Sequence, residues 1–322
     1  MPEISLIITT HNRPQMLARA IESARKATRR EVEVVVVDDA STDETARLCR
    51  SIPHITYVRA ERNQRVAGAR NLGILASRGE FLSFLDDDDV RLPGSLERQL
   101  TALASETRAG FVYGQAILCE QNGTLEEDCY PACCPQGDIF FRLLVQNFIP
   151  CGSVVFRRAC LSRVGLLNDA LAGIDDWDLW LRIAALYPVI ALEQPVIGWR
   201  KSTPVSGQGT SHALEIVNSS TRQFRESWLA LPRVAEVATS KRRECLHLFS
   251  ENMASHLLWE TWRAFAAGEV KTACRNMLGA LRLHPAGTIR VAARRTSLRF
   301  FLTHAPGEWR ALKARTGQLP NS

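Results

Sequence analysis

The sequence has few of the features that mark membrane-spanning, secreted or fibrous proteins. Its longest apolar region, residues 179–199, is interrupted by two charged residues and two prolines and is too polar to span a bilayer. Residues 1–10 carry no basic leader, so we expect no secretory signal peptide. No internal repeat or low-complexity tract is evident. With 46% hydrophobic and 23% charged residues among 322, the chain is typical of a globular protein with one large or two unequal domains.

The cysteines and histidines are not spaced as in zinc sites, and the cysteines do not suggest a disulfide framework. The nine cysteines include the adjacent pair Cys133-Cys134 but no CxxC pair, and the seven histidines show no metal-binding spacing. An odd number of cysteines without a secretory leader favours reduced thiols. We therefore expect a cytoplasmic protein.

Acidic residues are scarce in the last fifth of the chain. Residues 261–322 contain eleven Lys or Arg and two Glu, a net charge of +9, whereas the whole chain carries +6. Such a segment can lie against anionic lipid or nucleic acid, or form the solvated surface of helices. We expect no nucleic-acid partner, and we leave open contact with the anionic inner face of the cytoplasmic membrane and formation of a homo-oligomer.

Apolar periodicity predicts strands that alternate with helices. The predicted strands are 4–8, 31–37, 55–59, 81–85, 110–116 and 153–157, with edge strands at 189–192 and 196–199. The predicted helices are 14–27, one ending at residue 50 after the capping sequence 41–44, 67–77, 95–105, 139–146 and 174–187, and residues 119–136 are predicted as a loop. This alternation predicts a doubly wound α/β sheet.

The pattern becomes entirely helical after residue 211. Residues 201–209 are rich in Ser, Gly and Pro and are typical of a linker or a mobile loop. We therefore predict a first domain at 1–208 and a helical, basic region at 209–322. Within that region, helices 246–267 and 269–283 are predicted to form an αα-hairpin joined at Gly268.

Polar clusters follow three predicted strands at their carboxyl ends. They are residues 9–12, Asp38-Asp39 and the four consecutive aspartates 86–89. Ligands bind at this edge of doubly wound sheets. Four adjacent carboxylates repel one another unless a positive group lies nearby, and hard oxygen ligands suit Mg²⁺ or Mn²⁺, which can in turn hold a diphosphate. The alternative is an acidic turn that caps the helix beginning near Leu92.

Five segments, taken together, resemble family 2 glycosyltransferases, which are inverting enzymes of the GT-A fold. The segments that carry the resemblance are ISLIITTHNRP (4–14), VVVVDDASTDET (34–45), GARNLGI (68–74), FLSFLDDDD (81–89) and GIDDWDLWLR (173–182). The chain departs from the family pattern at Asp87, where a small residue is common, at Asp175, where Glu is usual, and after Arg200, where a His often follows. The resemblance implies a mixed, mainly parallel sheet flanked by helices and followed by the all-α region.

The resemblance also implies a nucleotide-sugar site at the strand ends. The residues it assigns to the nucleotide sugar are Thr9, Thr10, His11, Asp38, Asp39, Arg65, Arg70 and Asp87. It assigns the divalent cation to Asp86 and Asp88, with Asp89 as a further ligand. An acceptor-only carboxylate at Asp39 would pair with the imide N–H of uracil or thymine. Helix capping and a ribose contact are the alternatives for Asp39, and a structural pair with Asp38 is the alternative for Arg70.

The same resemblance places the catalytic base at Asp176. Direct displacement at an anomeric carbon needs a carboxylate opposite the leaving group, to take the proton of the acceptor hydroxyl. The residues expected on the acceptor side are Gly152, Ser153, Asp175, Trp177 and Trp180, with the two tryptophans forming a wall and Arg182 steadying the acidic pair. The alternative is a capped helix start followed by two core tryptophans.

These expectations define one leading function. It is metal-dependent transfer of a sugar from a UDP- or dTDP-sugar to a hydroxyl of a cell-surface polysaccharide, lipopolysaccharide or lipid-linked oligosaccharide. One alternative is a nucleotidyltransferase that makes sugar nucleotides, although the Gly-rich start with a basic residue that such enzymes carry is missing after the first strand. The other alternative is a nucleotide-sugar-binding protein without activity.

Overall fold

A computed structural model of the chain describes residues 2–119, 125–171, 173–200 and 212–292, without the side chains of 126–128. The chain divides into two compact units. The first comprises residues 1–143 and 147–201, and the second comprises 144–146 and 202–322. The predicted linker and domain boundary lie outside the described residues.

The first unit is built on a mixed β-sheet. Its order is β3-β2-β1-β4-β8-β6-β9-β5, with β7 paired to β6. The strands found in the described part of the chain are β1 (Ile4–Thr10), β2 (Val32–Asp38), β3 (Thr56–Arg59), β4 (Phe81–Asp86), β5 (Val90–Arg91), β6 (Phe111–Cys119), β7 (Leu125–Tyr130), β8 (Val154–Arg157) and β9 (Val189–Arg200).

The first four strands along the chain form the parallel half of the sheet. β1 lies between β2 and β4, and its apolar residues are fully buried because helices cover both faces. In this register Thr10 is paired with Asp38, and Thr9 is paired with Asp86. The carboxyl ends of three strands therefore meet at one edge, as the sequence predicts.

The other half of the sheet corrects two predictions. The two expected edge strands at 189–192 and 196–199 are a single strand, β9, which lies inside the sheet between β6 and β5. Pro195 does not end it, because the register with β6 shifts around Gln115 and accommodates the proline. The predicted loop 119–136 contains β7, which pairs antiparallel with β6.

Helices pack on the sheet mostly where periodicity predicts them. The helices that begin in this unit are α1 (Pro14–Lys26), α2 (Thr45–Ser51), α3 (Arg65–Ala76), α4 (Ser95–Ser105), α5 (Phe140–Val145), α6 (Leu161–Val164) and α7 (Asp175–Ala184). α3 approaches the sheet closely at Gly73, where a Cβ would lie 2.2 Å from Ile7 Cγ2 and 3.1 Å from Val37 Cγ2. Glycine at this position therefore lets α3 pack directly on β1 and β2.

The second unit is helical, as predicted. Its helices within the described residues are α8 (Ala213–Glu226), α9 (Pro232–Ala235), α10 (Thr239–Ala266), α11 (Val270–Leu283) and α12 (Pro285–Ala292). α10 and α11 form the predicted hairpin, and Gly268 joins them at φ 80°, a left-handed conformation that favours glycine. All nine cysteines are free thiols. Among the helices described, none combines the length and the apolar character needed to cross a bilayer.

Candidate active site

The exit of β2 is held by hydrogen bonds to Asp38. This carboxylate is fully buried, and it accepts hydrogen bonds from the Ser41 backbone N–H at 2.8 Å and from the Tyr57 hydroxyl at 2.7 Å. Both partners belong to the protein, so Asp38 shapes the turn after β2. This arrangement favours a positioning role for Asp38 over direct contact with a ligand.

Asp39 lies next to this turn and faces the start of α3. Its Oδ1 accepts a hydrogen bond from the Gln64 backbone N–H at 2.6 Å, just before Arg65 begins the helix. Burial raises the pKa of Asp39, and the Gln64 hydrogen bond opposes that shift. Arg65 is exposed. The geometry thus brings both residues to the same rim of the sheet.

Three residues in the loops around Asp39 have a left-handed backbone conformation. Asn12, Ala40 and Arg65 have φ values of 55°, 60° and 59°, which are uncommon for residues other than glycine. The Asn12 side chain accepts a hydrogen bond from the Thr42 backbone N–H at 2.8 Å, and the His11 Nδ1–H donates to the Asp39 carbonyl at 2.7 Å. The loops after β1 and β2 are therefore fastened together around a strained backbone.

Exposure alternates along the four aspartates that follow β4. Asp86 and Asp88 are partly exposed, whereas Asp87 and Asp89 are buried. Residues 86–89 form a turn in which the Asp89 backbone N–H donates to the Asp86 carbonyl at 3.1 Å, so the pattern arises from this turn and not from an extended strand. Only two of the four carboxylates are therefore open to a ligand.

The buried Asp87 is held by protein groups. It accepts hydrogen bonds from the Thr10 hydroxyl at 2.7 Å and from Arg13 Nη1 at 3.1 Å, and the same Arg13 nitrogen lies 3.3 Å from Asp88 Oδ2. Burial raises the pKa of Asp87 to about 6. Asp87 thereby fixes the end of β4 against β1, which favours a positioning role over the predicted contact with the nucleotide sugar.

Asp89 is also enclosed. Its Oδ1 accepts a hydrogen bond from the Arg200 backbone N–H at 2.9 Å, and Arg200 Nε donates to the Asp88 carbonyl at 2.8 Å. Burial, together with the charges of Asp86 and Asp88, raises the pKa of Asp89 well above its usual range. Asp89 and Arg200 thus tie the acidic run to the end of β9.

Arg70 connects the acidic run to the start of α7. It is 4% exposed and donates from Nη2 to Asp86 Oδ1 at 2.7 Å and from Nη1 to Asp175 Oδ2 at 2.9 Å. Its guanidinium lies over the Phe84 ring, 5.4 Å from the centroid. The alternative pairing of Arg70 with Asp38 is therefore wrong. Residues 70, 86 and 175 are far apart in sequence, and they meet through this one cation.

Asp176 lies beside that cation in the first turn of α7. Unlike Asp175 it is partly exposed, and its Oδ1 accepts a hydrogen bond from the Trp177 backbone N–H at 2.7 Å. Burial and the negative charge of Asp175 raise the pKa of Asp176 to about 7, although Arg70 acts in the opposite direction. A carboxylate with this pKa exchanges protons near neutral pH.

The two tryptophans lie in the core and do not form the expected wall. Trp177 is buried and donates from Nε1 to the Leu143 carbonyl at 2.7 Å. Trp180 is fully buried and packs against the aromatic rings of Phe84, Phe111 and Phe156. Both rings lie on the side of α7 that packs into the core, where burial of their large apolar surface outweighs exposure at the cleft.

Arg182 and Ser153 also differ from expectation. Arg182 pairs with Asp178 at 2.8 Å and donates to the Val164 carbonyl, so the prediction that it steadies the acidic pair is wrong. Ser153 is fully buried next to the buried Gly152, and its hydroxyl donates to the Pro150 carbonyl at 2.8 Å. These contacts favour a structural role for the loop 150–153.

Cys151, in the loop 150–153 that the resemblance assigns to the acceptor side, interacts electrostatically with the carboxylates. It is half-buried, and burial together with the charges of Asp176, Asp86 and Asp175 raises the pKa of its thiol, although Arg70 opposes this. The sequence analysis did not select Arg13 or Arg200. The signals in the sequence are that Arg13 lies within the first segment that carries the resemblance, and that Arg200 precedes the position where the family often has a His.

Asp86 and Asp88 are the carboxylates of the acidic run that could hold a divalent cation. Asp86 and Asp88 lie close enough for the charge of Asp86 to raise the pKa of Asp88, after the larger effect of burial. Across the described part of the chain, no group of three or more metal-binding side chains converges. The protein would therefore supply two carboxylates, and phosphate and water oxygens would complete the octahedral set that Mg²⁺ prefers.

Comparison with known proteins identifies related sequences. The family model described as "Glycosyl transferase family 2" matches residues 5–164. An uncharacterized glycosyltransferase of Haemophilus influenzae is 30% identical over 182 residues, which cover 56% of this chain and 61% of that protein. The putative colanic acid biosynthesis glycosyl transferase WcaA of Escherichia coli is 28% identical over 190 residues, 58% of this chain and 67% of that protein. The chain spans only 42% of the length of a third relative, from Rickettsia felis.

Solved structures show the same fold. The S. aureus TarS 1–349 structure with UDP-GlcNAc matches with a TM-score of 0.61 at 16% identity. The match covers 99% of this chain and 93% of the TarS chain. The Pyrobaculum calidifontis mannosyltransferase PcManGT, with GDP-Man and Mn²⁺, has a TM-score of 0.57 at 19% identity, with coverages of 99% and 88%. The likeness shows the GT-A fold, which confirms the predicted fold class.

Proposed function

Since the chain belongs to glycosyl transferase family 2, we propose that it moves a sugar from a nucleotide-sugar donor to an acceptor hydroxyl with inversion. The observation that carries the proposal is the position of Asp176. It is a partly exposed carboxylate, it titrates near neutral pH, and Arg70 and Asp175 link it to Asp86 at the exit of β4. In this proposal the base and the diphosphate site are neighbours at one edge of the sheet.

The donor base is assigned to the rim formed by β1, β2 and α3. Asp39 accepts a hydrogen bond from the imide N–H of a uracil or thymine. The donor in this proposal is therefore a UDP- or dTDP-sugar. Thr9, at the end of β1, and His11 border the ribose. The exposed Arg65 provides a cation on the same rim. Support comes from the hydrogen bonds that join the loops after β1 and β2 around Asp39.

The diphosphate is assigned to the exit of β4. Asp86 and Asp88 would hold Mg²⁺ or Mn²⁺, which neutralises the charge of the departing nucleoside diphosphate when bound. Asp87 and Asp89 position this pair through Thr10 and the Arg200 backbone N–H. Arg70 keeps the carboxylate of Asp86 oriented.

Asp176 is the base in this proposal. It accepts the proton of the acceptor hydroxyl as that oxygen attacks the anomeric carbon from the side opposite the leaving group. Its neighbour Asp175 is bonded to Arg70, which fixes the first turn of α7. The pKa of about 7 leaves roughly half of Asp176 ionised at neutral pH and nearly all of it above pH 8.

The acceptor is assigned to the saccharides of the cell surface. A growing polysaccharide, a lipopolysaccharide or a lipid-linked oligosaccharide presents the required hydroxyl, and the relative WcaA carries colanic acid biosynthesis in its name. We place the protein in the cytoplasm, with its basic helical unit against the inner face of the membrane. The net charge of residues 261–322 supports this.

A donor panel tests the function. The full chain is incubated with UDP-, dTDP- and GDP-sugars, Mg²⁺ or Mn²⁺ and a set of saccharide acceptors, and release of nucleoside diphosphate is measured. We expect release with a uridine or thymidine donor, and none from the Asp176→Asn protein. Release of pyrophosphate from a sugar phosphate and a nucleoside triphosphate would instead indicate a nucleotidyltransferase. Donor binding without any release would indicate a binding protein.

A further inference from the structure

Helix α11 exposes one side that is both apolar and cationic. Its inner side packs through Ala273, Asn276 and Ala280, which are all buried. The residues on its exposed side are Val270, Lys271, Cys274, Arg275, Leu278, Leu281 and Arg282. Val270, Leu278 and Leu281 expose 54%, 55% and 37% of their surface. We call these seven residues the α11 face.

The two kinds of side chain are segregated on the α11 face. At about 100° per residue, the seven positions fall within an arc of about 140°. Val270, Leu281, Cys274 and Leu278 occupy about the first 80° of that arc, and Lys271, Arg282 and Arg275 occupy the adjacent edge. Single exposed aliphatic residues are ordinary on protein surfaces, but an apolar stripe bordered by cations along one helix is typical of interfacial helices.

The cations of the α11 face lack acidic partners. Neither α11 nor α12 contains Asp or Glu, and in the described part of the chain Lys271, Arg275 and Arg282 form no ion pair. Their positive charge is therefore available to an external anionic group. A second copy of this chain would have to present acidic residues to this face, and nucleic acid would leave the aliphatic stripe in water.

We propose that the α11 face docks on an anionic lipid surface. Lys271, Arg275 and Arg282 meet the headgroups, and the aliphatic stripe enters the boundary between headgroups and acyl chains. The sequence predicts membrane contact only from the summed charge of residues 261–322. The structure assigns the contact to one side of one helix. The proposal deepens the membrane contact of the proposed function, and it does not depend on the chemistry at the strand ends.

Vesicle sedimentation tests the charge requirement. The full chain is mixed with vesicles of phosphatidylcholine alone or with one quarter phosphatidylglycerol, without donor or metal. We expect binding to the anionic vesicles that weakens with salt. The Arg275→Gln/Arg282→Gln protein should bind roughly twenty-fivefold more weakly, because each cation near an anionic surface contributes about a factor of five. The matched control is Arg222→Gln/Arg225→Gln, which removes two exposed arginines of α8 and should bind as the unchanged chain.

A second pair of variants tests the aliphatic stripe. Leu278→Gln/Leu281→Gln should weaken binding by about tenfold or more, and Leu246→Gln/Leu248→Gln, from the exposed surface of α10, should not. Circular dichroism establishes that each variant is folded. Equal loss in test and control variants would overturn the proposal. So would binding to single-stranded nucleic acid that exceeds binding to vesicles, or a loss of self-association in the leucine variant on gel filtration.

The Asp176→Asn protein separates this proposal from the proposed function. It should bind anionic vesicles as tightly as the unchanged chain while releasing no nucleoside diphosphate. A chain that is active in solution but indifferent to vesicle charge would overturn the α11 docking alone.

Discussion

The candidate site has two layers of aspartates that differ in exposure. The outer carboxylates, Asp86, Asp88 and Asp176, are partly open to solvent, whereas the inner carboxylates, Asp87, Asp89 and Asp175, are buried. Residues of the two layers are neighbours in sequence and have the same side chain. Environment alone therefore separates the groups suited to bind a ligand from those suited to position the site.

The inner layer is matched by donors from distant parts of the chain. Thr10 and Arg13 bind Asp87, the Arg200 backbone N–H binds Asp89, and Arg70 binds Asp175. Each donor lies on a different element, so the inner carboxylates join β1, β9 and α3 around the acidic run. Each outer carboxylate also accepts a hydrogen bond, from Arg70, Arg13 or the Trp177 backbone N–H, but it keeps exposed surface for a ligand.

Replacing Asp176 by Asn should have the largest effect. We expect kcat to fall by about a thousandfold, since the amide cannot accept the proton of the acceptor hydroxyl, while the affinity for donor stays within about twofold. Initial rates and equilibrium dialysis with the donor measure the two quantities. Asp178→Asn is the matched control, because Asp178 lies in the same turn but is enclosed by its pair with Arg182. Full activity of the Asp176 variant would rule it out as the base.

Replacing Arg70 by Met should destabilise the protein, because Arg70 pairs with an aspartate of each layer. It leaves Asp86 and the buried Asp175 without their shared cation, and removing one partner of a buried pair lowers the free energy of unfolding by about 3–5 kcal/mol. Urea denaturation measures the change. Arg30→Met is the control, because its pairs with Glu3 and Glu97 are partly exposed and should contribute about 1 kcal/mol or less. Equal losses in the two variants would contradict the special position of Arg70.

Replacing Asp88 and Asp87 in parallel tests the division within the acidic run. Asp88→Asn should lower kcat by about a hundredfold and raise the Mn²⁺ concentration needed for half-maximal rate, because it removes an outer ligand. Asp87→Asn should lower the free energy of unfolding by about 1–3 kcal/mol through the loss of its bonds to Thr10 and Arg13, with a smaller change in Mn²⁺ dependence. A reversed pattern would exchange the roles of the two residues.

Stability should respond to pH through Asp176. Its pKa of about 7 in the folded chain lies above the value of about 3.9 for an unfolded chain. Between about pH 4 and pH 7 the carboxyl is therefore ionised in the unfolded chain and protonated in the folded one, so the free energy of unfolding falls as pH rises through this range. Asp176→Asn should therefore be more stable than the unchanged chain by about 1–2 kcal/mol at pH 8, and the difference should shrink toward pH 4. Urea midpoints across that range measure it. A constant difference would mean that burial does not raise this pKa.

Much of the fold and the location of the site could be predicted from the sequence. The buried strands β1, β2 and β4 are read from apolar runs, and the parallel-sheet rule then places residues 9–12, 38–39 and 86–89 at one edge. The hairpin of α10 and α11 follows from periodicity and Gly268. The sequence predicts two strands in place of β9 because Pro195 is a strong local break signal, which a register shift in the sheet overrides.

Side-chain environments were less predictable, because they depend on contacts across the chain. Nothing local distinguishes Asp86 from Asp87, and the difference arises from Thr10 and Arg13 on another element. The tryptophans of α7 were expected at the cleft because the resemblance places the whole segment there, yet the helix turns their rings into the core. Arg70 was assigned to the nucleotide for the same reason, although its partners lie 16 and 105 residues away.

The left-handed backbone at Ala40 limits how this chain can vary. Its φ of 60° is costly for a residue with a Cβ and very costly for a β-branched one, whereas glycine adopts it freely. In a library randomised at this codon, selection for folded protein should enrich glycine and asparagine and deplete valine and isoleucine. The φ angle at residue 40, and not any chemistry of its side chain, therefore restricts which residues can replace Ala40.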